Sequence, residues 1–115
     1  MTIRMVTEIT GIPGTTFTFA PGDAASTILS HDTDMMLDIR DTKKLCISIL
    51  VSCRSQTARF AWGTNPTQGS SGIGHDLAAG ESVKIANPAA IRDMRIIDAT
   101  NGAASRVNVT PEYSA

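Results

Sequence analysis

Residues 43–53, KKLCISILVSC, decide the fold class of this chain. Apolar or thiol side chains recur there at every second position, which is the period of a β-strand: Leu45, Ile47, Ile49, Val51 and Cys53. The side chains between them are small or apolar and carry no charge, so we expect the second face of this strand to be at least half covered as well. An amphipathic helix would need a polar face, and this stretch has none. The pattern predicts a central strand of a β-sheet.

The composition indicates one globular domain in a chain of 115 residues. Charged residues make up only 18% of the sequence, while Thr, Ser, Gly and Ala are abundant. The formal net charge of −1 gives no electrostatic reason to bind nucleic acid or an anionic membrane. We find no apolar run long enough for a transmembrane helix and no start typical of a signal peptide. We therefore expect neither a nucleic-acid partner nor a membrane partner.

The two cysteines, Cys46 and Cys53, fall in this one predicted strand. At about 3.3 Å per residue they lie about 23 Å apart, whereas a disulfide needs Cα atoms within about 7 Å. We expect two buried, reduced thiols, in keeping with assembly in a reducing cytoplasm. A zinc site would need further ligands at suitable spacing, and the sequence offers none. No metal and no cofactor is predicted.

Short alternating segments with turn residues between them follow along the rest of the chain, roughly seven or eight strands in all. The strands are predicted at residues 15–20, 35–40, 45–53, 56–62, 81–86, 94–97 and 107–109, with residues 24–30 as a further strand or an irregular connection. Pro111 is expected to close the last strand. The fold class is therefore all-β: an antiparallel β-sandwich of jelly-roll or immunoglobulin-like type. Residues 15–115 form the sandwich domain, and residues 1–14 form an extended N-terminal arm or strand.

Several connections carry further predictions. Residues 35–40 are expected to form an antiparallel hairpin with the central strand. Residues 63–80 hold five of the nine glycines and predict a long loop that is functional or mobile. Residues 87–90 predict a turn or a single helical turn, and Asn101 with Gly102 predicts a hairpin turn.

One candidate metal cluster is visible in the sequence, formed by His31, Asp32, Asp34 and Asp38. Carboxylates spaced in a turn can bind calcium. The same residue types are also ordinary turn formers, and the spacing lacks the glycine and glutamate of an EF-hand loop. A structural turn is the preferred interpretation.

Two further patterns suggest chemistry around the glycine-rich segment. His75 and Asp76 resemble a general base with its orienting carboxylate, with Ser70 or Ser71 as nucleophile, but these serines lie on a segment with no fixed period. Residues 69–74, GSSGIG, resemble a phosphate-binding loop without the following Lys-Ser/Thr. Neither pattern meets its requirements, so we predict no catalytic residue and no enzymatic activity.

Aromatic and arginine residues are weighed in the same way. Trp62, Phe60 and Tyr113 could stack on a sugar or a base, but strand alternation favours a core position for Phe60 and Trp62. Three arginines near the C-terminus form either a basic patch or an ion-pair face with the acids beside them. The arginines are Arg92, Arg95 and Arg106, and the acids are Asp93, Asp98 and Glu112.

The N-terminal arm carries an apolar stripe formed by Ile3, Met5 and Ile9. Residues 11–14, GIPG, predict a hinge that separates the stripe from the sandwich. We expect the arm to pack on a neighbouring molecule by adding a strand to it. The predicted protein-contact residues are these three together with Arg92 and Arg95.

The second half of the chain resembles a known family. Residues 59–67 read RFAWGTNPT, residues 77–82 read LAAGES, and residues 87–99 read NPAAIRDMRIIDA. This succession, within residues 59–109, resembles the small β-sandwich decoration or cement proteins of tailed-bacteriophage capsids. The resemblance implies a virion protein on the capsid exterior, made in the host bacterial cytoplasm, that forms a homotrimer. It also implies binding to the major capsid protein across neighbouring coat subunits. The family has no signature site to carry over.

Two other functional classes remain open from the sequence. A head-fibre or tail-associated module that binds a receptor or glycan is the alternative, and it would require exposed aromatic side chains such as Tyr113 or Trp62. An enzyme ranks third, since no catalytic constellation is visible.

Overall fold

The structure, a computed structural model, describes residues 11–31 and 45–114. These residues form two antiparallel sheets, which confirms the all-β prediction and its antiparallel sandwich. The jelly-roll or immunoglobulin-like type stays a prediction. The strands are β1 (Ile12–Pro13), β2 (Phe17–Phe19), β3 (Ser26–Thr27), β4 (Cys46–Ser55), β5 (Ala58–Ala61), β6 (His75–Leu77), β7 (Ser82–Ile85), β8 (Arg95–Asp98) and β9 (Arg106–Tyr113). A 3₁₀ turn covers Ile28–Ser30, and one helix, α1, covers Pro88–Asp93.

The first sheet, sheet 1, has the strand order β1-β9-β4-β7, with β2 paired to β9 as well. Sheet 2 has the order β3-β8-β5-β6. Strand β4 is paired on both sides, because Ile49 lies opposite Pro111 of β9 and opposite Ile85 of β7. The prediction of a central strand around KKLCISILVSC is therefore confirmed.

The core lies between the two sheets, since one apolar cluster draws residues from both. Sheet 1 contributes Ile49, Val51, Val107 and Val109, and sheet 2 contributes Ala58, Phe60, Leu77 and Ile96. The residues that alternate with these in β5 and β8 include Arg59 and Ile97, so they lie on the opposite, outer face of sheet 2. The corresponding outer face of sheet 1 carries polar residues such as Asn108 and Thr110.

Strand β4 departs from the strict alternation that its sequence predicts. Its register against β9 shifts between Cys46 and Ser48, and again between Cys53 and Ser55. Each shift is a β-bulge, which bends the strand and changes the direction of its side chains. As a result Ser48 is only 1% exposed, whereas Ile47, predicted to share a face with Ile49, is half-buried.

Both cysteines are free and buried, as predicted. Burial raises the pKa of the Cys46 thiol and of the Cys53 thiol, because the charged thiolate loses solvent.

Strand β9 continues through Pro111 to Tyr113, so the prediction that Pro111 ends the strand is wrong. The reason is the position of this proline along the sheet edge. On that side of β9 the partner changes from β2 to β1, and no strand pair needs an N–H from Pro111. Its carbonyl oxygen accepts the N–H of Gly14 at 2.7 Å instead.

Two predicted connections differ in the structure. The turn at Asn101 and Gly102 joins β8 of sheet 2 to β9 of sheet 1, so it does not form a hairpin. The predicted turn at residues 87–90 is the start of the six-residue helix α1. Asn87 caps this helix, since its side-chain oxygen accepts the N–H groups of Ala89 and Ala90.

The predicted hinge at residues 11–14 is part of sheet 1. Ile12 pairs with Tyr113 and Pro13 pairs with Glu112, so the chain is fixed to the sheet at this point. The N-terminal arm residues Ile3, Met5 and Ile9 lie outside the described residues. The predicted strand at residues 35–40 and its hairpin with β4 lie outside them too.

Candidate functional site

Residues 66–74, here called the glycine loop, fold over the outer face of sheet 2 around one buried arginine. Arg59 is only 7% exposed although its side chain points away from the core. Its Nη1 donates to the backbone oxygens of Thr67 and Gly69, both at 2.7 Å. Its Nε donates to Oδ1 of Asp76 at 2.6 Å. The planar guanidinium therefore holds two points of the loop and one strand in a fixed arrangement.

Two glycines allow this close approach. A Cβ atom at Gly72 would lie 2.1 Å from the Thr67 oxygen and 2.2 Å from Arg59 Nη1. At Gly74, where φ is +133°, a Cβ atom would lie 2.6 Å from Cγ of Arg59. Gly72 and Gly74 of GSSGIG are thus required by the arginine beneath them, since a side chain at either position would displace it. The resemblance of GSSGIG to a phosphate-binding loop is therefore explained by the close approach of the loop to Arg59.

The base of the glycine loop is tied to neighbouring turns. The N–H of Gly69 donates to the Ala99 oxygen at 2.9 Å. The Gln68 side chain donates to Asp23 Oδ1 at 2.8 Å, and Gly102 N–H donates to the same oxygen at 2.9 Å. The Gly102 bond, and then the Gln68 bond, lower the pKa of the Asp23 carboxyl group. The long loop predicted over residues 63–80 is therefore interrupted by strand β6, and its part before β6 is held by these hydrogen bonds.

A surface groove of about 480 Å³ opens beside this loop. It lies where residues 63–65, just before the glycine loop, meet the end of α1 and the start of β8. The groove is lined by Thr27, Gly63, Thr64, Asn65, Arg92, Asp93 and Arg95. Two of the predicted protein-contact residues, Arg92 and Arg95, thus line one site, and both are exposed. The lining is mainly polar and combines guanidinium, hydroxyl, amide and carboxylate groups, which suits hydrogen bonding to a partner.

The two arginines of the groove differ in their surroundings. Arg92 Nε lies 3.1 Å from Oδ1 of Asp93, and this hydrogen bond raises the pKa of Arg92. Both side chains of the pair are 60% exposed, so water screens the attraction and leaves it weak. Arg95 lies opposite Ala61 in the sheet and has no ion-pair partner among the residues that the structure describes. Both guanidinium groups are therefore available to an incoming group.

Trp62 borders the groove and corrects a sequence prediction. The alternation of QTARFAW places it in the core, but Trp62 is 38% exposed, whereas Phe60 is buried as predicted. Strand β5 ends at Ala61, so the alternation no longer applies at the next residue. The indole Nε1 donates to the Ala90 oxygen of α1 at 2.8 Å, and the ring packs edge-on against Phe60.

The first residue of the predicted metal cluster serves a structural contact. The His31 ring stacks on Phe19 with centroids 4.1 Å apart, and its Nε2 lies 2.8 Å from the Ser26 hydroxyl. Burial lowers the pKa of His31. The other members, Asp32, Asp34 and Asp38, lie outside the described residues.

The suggested pairing of His75 with Asp76 does not form. Neighbouring residues of a strand point to opposite faces. Asp76 is held by Arg59, while His75 packs against Phe60 and Trp62 at centroid distances of 5.5 and 6.4 Å. Ser70 and Ser71 are exposed in the turn of the glycine loop.

The predicted ion-pair face at the C-terminus holds only in part. Arg92 pairs with Asp93, as described above. Asp98, only 2% exposed, accepts instead the N–H and hydroxyl of Ser105 and so shapes the turn before β9. Glu112 lies 3.1 Å from Lys84 Nζ.

Sequence reasoning did not identify Arg59 or the polar residues Thr27, Thr64 and Asn65 as parts of one site. A signal for Arg59 was present, since it is the only charge within an otherwise uncharged strand that precedes a glycine-rich segment. The three polar residues offered no such signal, because their contact with Arg92 and Arg95 depends on how distant segments meet.

Within residues 11–31 and 45–114 no group of three or more His, Cys, Asp or Glu side chains is placed to hold a metal ion. No helix in that part of the chain has the length and hydrophobicity needed to span a membrane. Comparisons with protein-family models, with curated proteins and with solved structures found no match to this chain.

Proposed function

We propose that this chain is a structural virion protein that decorates and stabilises a bacteriophage capsid by binding across neighbouring coat subunits. In this proposal it acts as a homotrimer on the capsid exterior, after synthesis in the host bacterial cytoplasm. Its partners are the major capsid protein and its own copies. The proposal rests on the sequence resemblance and on one structural observation, which is the groove that brings Arg92 and Arg95 together.

The chemistry of the groove suits a protein partner. Arginine is enriched at protein interfaces because its guanidinium binds carboxylates through two parallel hydrogen bonds. Arg95 has no ion pair to break within the described part of the chain, and the exposed pair of Arg92 with Asp93 exchanges easily. An acidic residue of a coat subunit can therefore gain a partner in the groove without loss of a strong internal contact.

The walls of the groove are already rigid in the free protein. Gly63, Thr64 and Asn65 lead into the loop that Arg59 fixes, and Asn87 and the Trp62 indole hold α1 on the other side. A preorganised surface loses less conformational entropy on binding than a flexible one. This rigidity supports a binding role for the groove.

The first experiment tests the groove by charge reversal. Arg92→Glu combined with Arg95→Glu is expected to reduce binding to expanded capsids of the same bacteriophage at least tenfold, measured by co-sedimentation. The matched control carries Ala24→Glu, Ala79→Glu, Ala86→Glu and Asn101→Glu, four exposed sites outside the groove that together lower the net charge by the same four units. Full occupancy by the groove variant would contradict the proposal, as would equal loss in the control.

The arm requires its own test. Gly11 donates its N–H to Glu112 Oε2 at 3.2 Å, and Ile12–Pro13 pairs with β9, so a truncation that tests the arm should retain Gly11. Removal of residues 1–10, which include Ile3, Met5 and Ile9, is expected to weaken capsid binding and to leave the melting temperature nearly unchanged. Unfolding of the truncated protein, or undiminished decoration, would show that the arm is not a contact element. Sedimentation of the intact protein as a monomer, without assembly on capsids, would contradict the trimer.

A second candidate is the receptor- or glycan-binding module of a head fibre or tail, which the exposure of Trp62 favours. Trp62 is 38% exposed and directly precedes Gly63 of the groove. Aromatic rings beside polar groups are suited to stacking on sugars. Binding on a glycan array that is lost in Trp62→Ala would support this candidate, and capsid binding without glycan binding would favour the first.

A further inference from the structure

A second cleft lies at the far end of sheet 1, separate from the groove. It has a volume of about 420 Å³ and is lined by Thr18, Arg54, Ser55 and Arg106. We call it the arginine cleft. Both arginines are exposed, and two hydroxyl groups stand beside them. Strands β2, β4 and β9 contribute to it, so three segments distant in sequence form its walls.

A β-bulge places the two arginines together. Cys53 lies opposite Val107 and Ser55 lies opposite Arg106, so two steps along β4 match one step along β9. Arg54 is the extra residue, and Arg54 and Ser55 therefore both face Arg106. Like charges across a strand pair repel each other, and a regular ladder would have avoided this arrangement.

Local contacts fix the bulge in this shape. The Cys53 thiol donates to two backbone oxygens, that of Ser55 at 3.5 Å and that of Gln56 at 3.1 Å. Gln56 follows with φ of 61°, a left-handed conformation that costs a non-glycine residue free energy. An irregular and costly backbone thus holds two cations side by side. Such features concentrate at functional sites.

No acidic side chain among the described residues neutralises these cations. Glu81, whose backbone bonds to Cys53, uses its carboxylate to accept the Ala78 N–H at 2.7 Å. Asp98 is occupied by Ser105 in the turn before β9. Neither Arg54 nor Arg106 forms an ion pair within residues 11–31 and 45–114.

We propose that the arginine cleft is an oxyanion-binding site. Two guanidinium groups supply charge-assisted hydrogen bonds in the planar geometry that phosphate and carboxylate groups accept, and the Thr18 and Ser55 hydroxyls can supply further donors. Bound anion also removes the repulsion between Arg54 and Arg106. The same chemistry fits a free anion such as inorganic phosphate and an acidic side chain of another protein.

The test is a titration of the full chain with inorganic phosphate at constant ionic strength, followed by amide chemical shifts in two-dimensional NMR. We expect a dissociation constant of about 1–10 mM, with the largest shifts at Thr18, Arg54, Ser55 and Arg106. A parallel titration uses a short Glu-rich peptide. Tighter binding of the peptide assigns the site to an acidic protein partner, and binding of phosphate alone assigns it to a free anion.

Variants decide whether the cleft is responsible. Arg54→Gln and Arg106→Gln should each weaken binding at least tenfold, because each removes one guanidinium. Ala86 follows the end of β7 that is remote from the cleft. Ala86→Glu lowers the net charge by the same amount as either arginine variant, so it should change binding by no more than about twofold. Fold retention is checked by the dispersion of the same spectra. Absence of binding by both ligands, or binding that survives in a protein carrying both Arg54→Gln and Arg106→Gln, would overturn the proposal. Either result leaves the groove at Arg92 and Arg95 untouched.

Discussion

The glycine loop and the arginine cleft both depend on arginine side chains, but in opposite ways. Under the loop, Arg59 is buried and its donors bind Asp76 and two backbone oxygens. In the cleft, Arg54 and Arg106 are exposed and face each other without an acid among the described residues. A guanidinium whose donors are satisfied within the chain stabilises the fold, whereas unsatisfied donors are free for a ligand. Substitutions of the arginine under the glycine loop should therefore change stability, and substitutions of the arginines in the cleft should change ligand binding.

The strongest test of this contrast is Arg59→Met, which keeps an apolar stem and removes every donor. The Thr67 and Gly69 oxygens would lose charge-assisted bonds beneath a loop that excludes water. We expect a loss of about 3 kcal/mol in the free energy of unfolding, measured by urea denaturation. The melting temperature should fall by more than about 10 °C.

Two related variants show which contacts of Arg59 matter. Lysine at this position keeps the charge but cannot reach three acceptors at once. Arg59→Lys should therefore retain less than half of the stability that Arg59→Met loses. Asp76→Asn should lose only about 0.5–1 kcal/mol, since the Asp76 side chain is 55% exposed. If Arg59→Met were as stable as the natural protein, the glycine loop would not depend on the arginine.

A second prediction concerns space rather than charge. Gly72→Ala places a methyl group 2.1 Å from the Thr67 oxygen and against Arg59, and we expect a loss of about 2 kcal/mol by overpacking. Gly63→Ala is the matched control. At Gly63 φ is +76° and an added Cβ atom would have no neighbour within 4 Å, so Gly63→Ala should lose only the conformational term of about 1 kcal/mol. Equal losses at the two glycines, in thermal or urea unfolding, would mean that the approach to Arg59 is not restrictive.

Regular strands were the predictable part of this fold. Strand β4 between its two bulges and the phenylalanines of β2 follow from period-two alternation, because half-buried strands in a sandwich impose that pattern. Departures arose where tertiary contacts override local signals. Pro111 remains inside a strand because a gap between β1 and β2 removes the need for its N–H, and no local pattern reveals that gap.

The sites were less predictable than the strands. Arg92 and Arg95 were identified from the sequence as contact residues, and the structure places both in one groove. The buried role of Arg59 and the opposition of Arg54 and Arg106 were not identified. Burial of Arg59 depends on a loop that returns across the sheet, and the arginine cleft depends on a one-residue bulge. Sequence periodicity contains neither kind of information.

The third prediction is a gain in the free energy of unfolding, whereas the first is a loss. Arg106→Gln removes one of two facing cations, so it should raise the free energy of unfolding by a few tenths of a kcal/mol at low salt. The gain should disappear at about 1 M salt, where charges are screened. Urea unfolding at both salt concentrations provides the measurement, with Ala86→Glu as the control for net charge. Destabilisation by Arg106→Gln at low salt would indicate that Arg106 has an internal partner after all.

The smallest effect concerns pH and His31, whose ring packs against Phe19 of β2. Partial burial lowers the pKa of His31, whose ring stacks on Phe19, below its ordinary value of 6.5. As the pH falls, the unfolded chain therefore binds a proton at this residue before the folded chain does, and the folded state loses stability. Relative to His31→Gln, the natural protein should be most stable above pH 6.5 and should lose this advantage as the pH falls through the lowered pKa. Melting temperatures of both proteins between pH 8 and pH 5 measure the difference, since every other titrating group is common to the two. Parallel curves would show that the His31 ring titrates alike in the folded and unfolded chains.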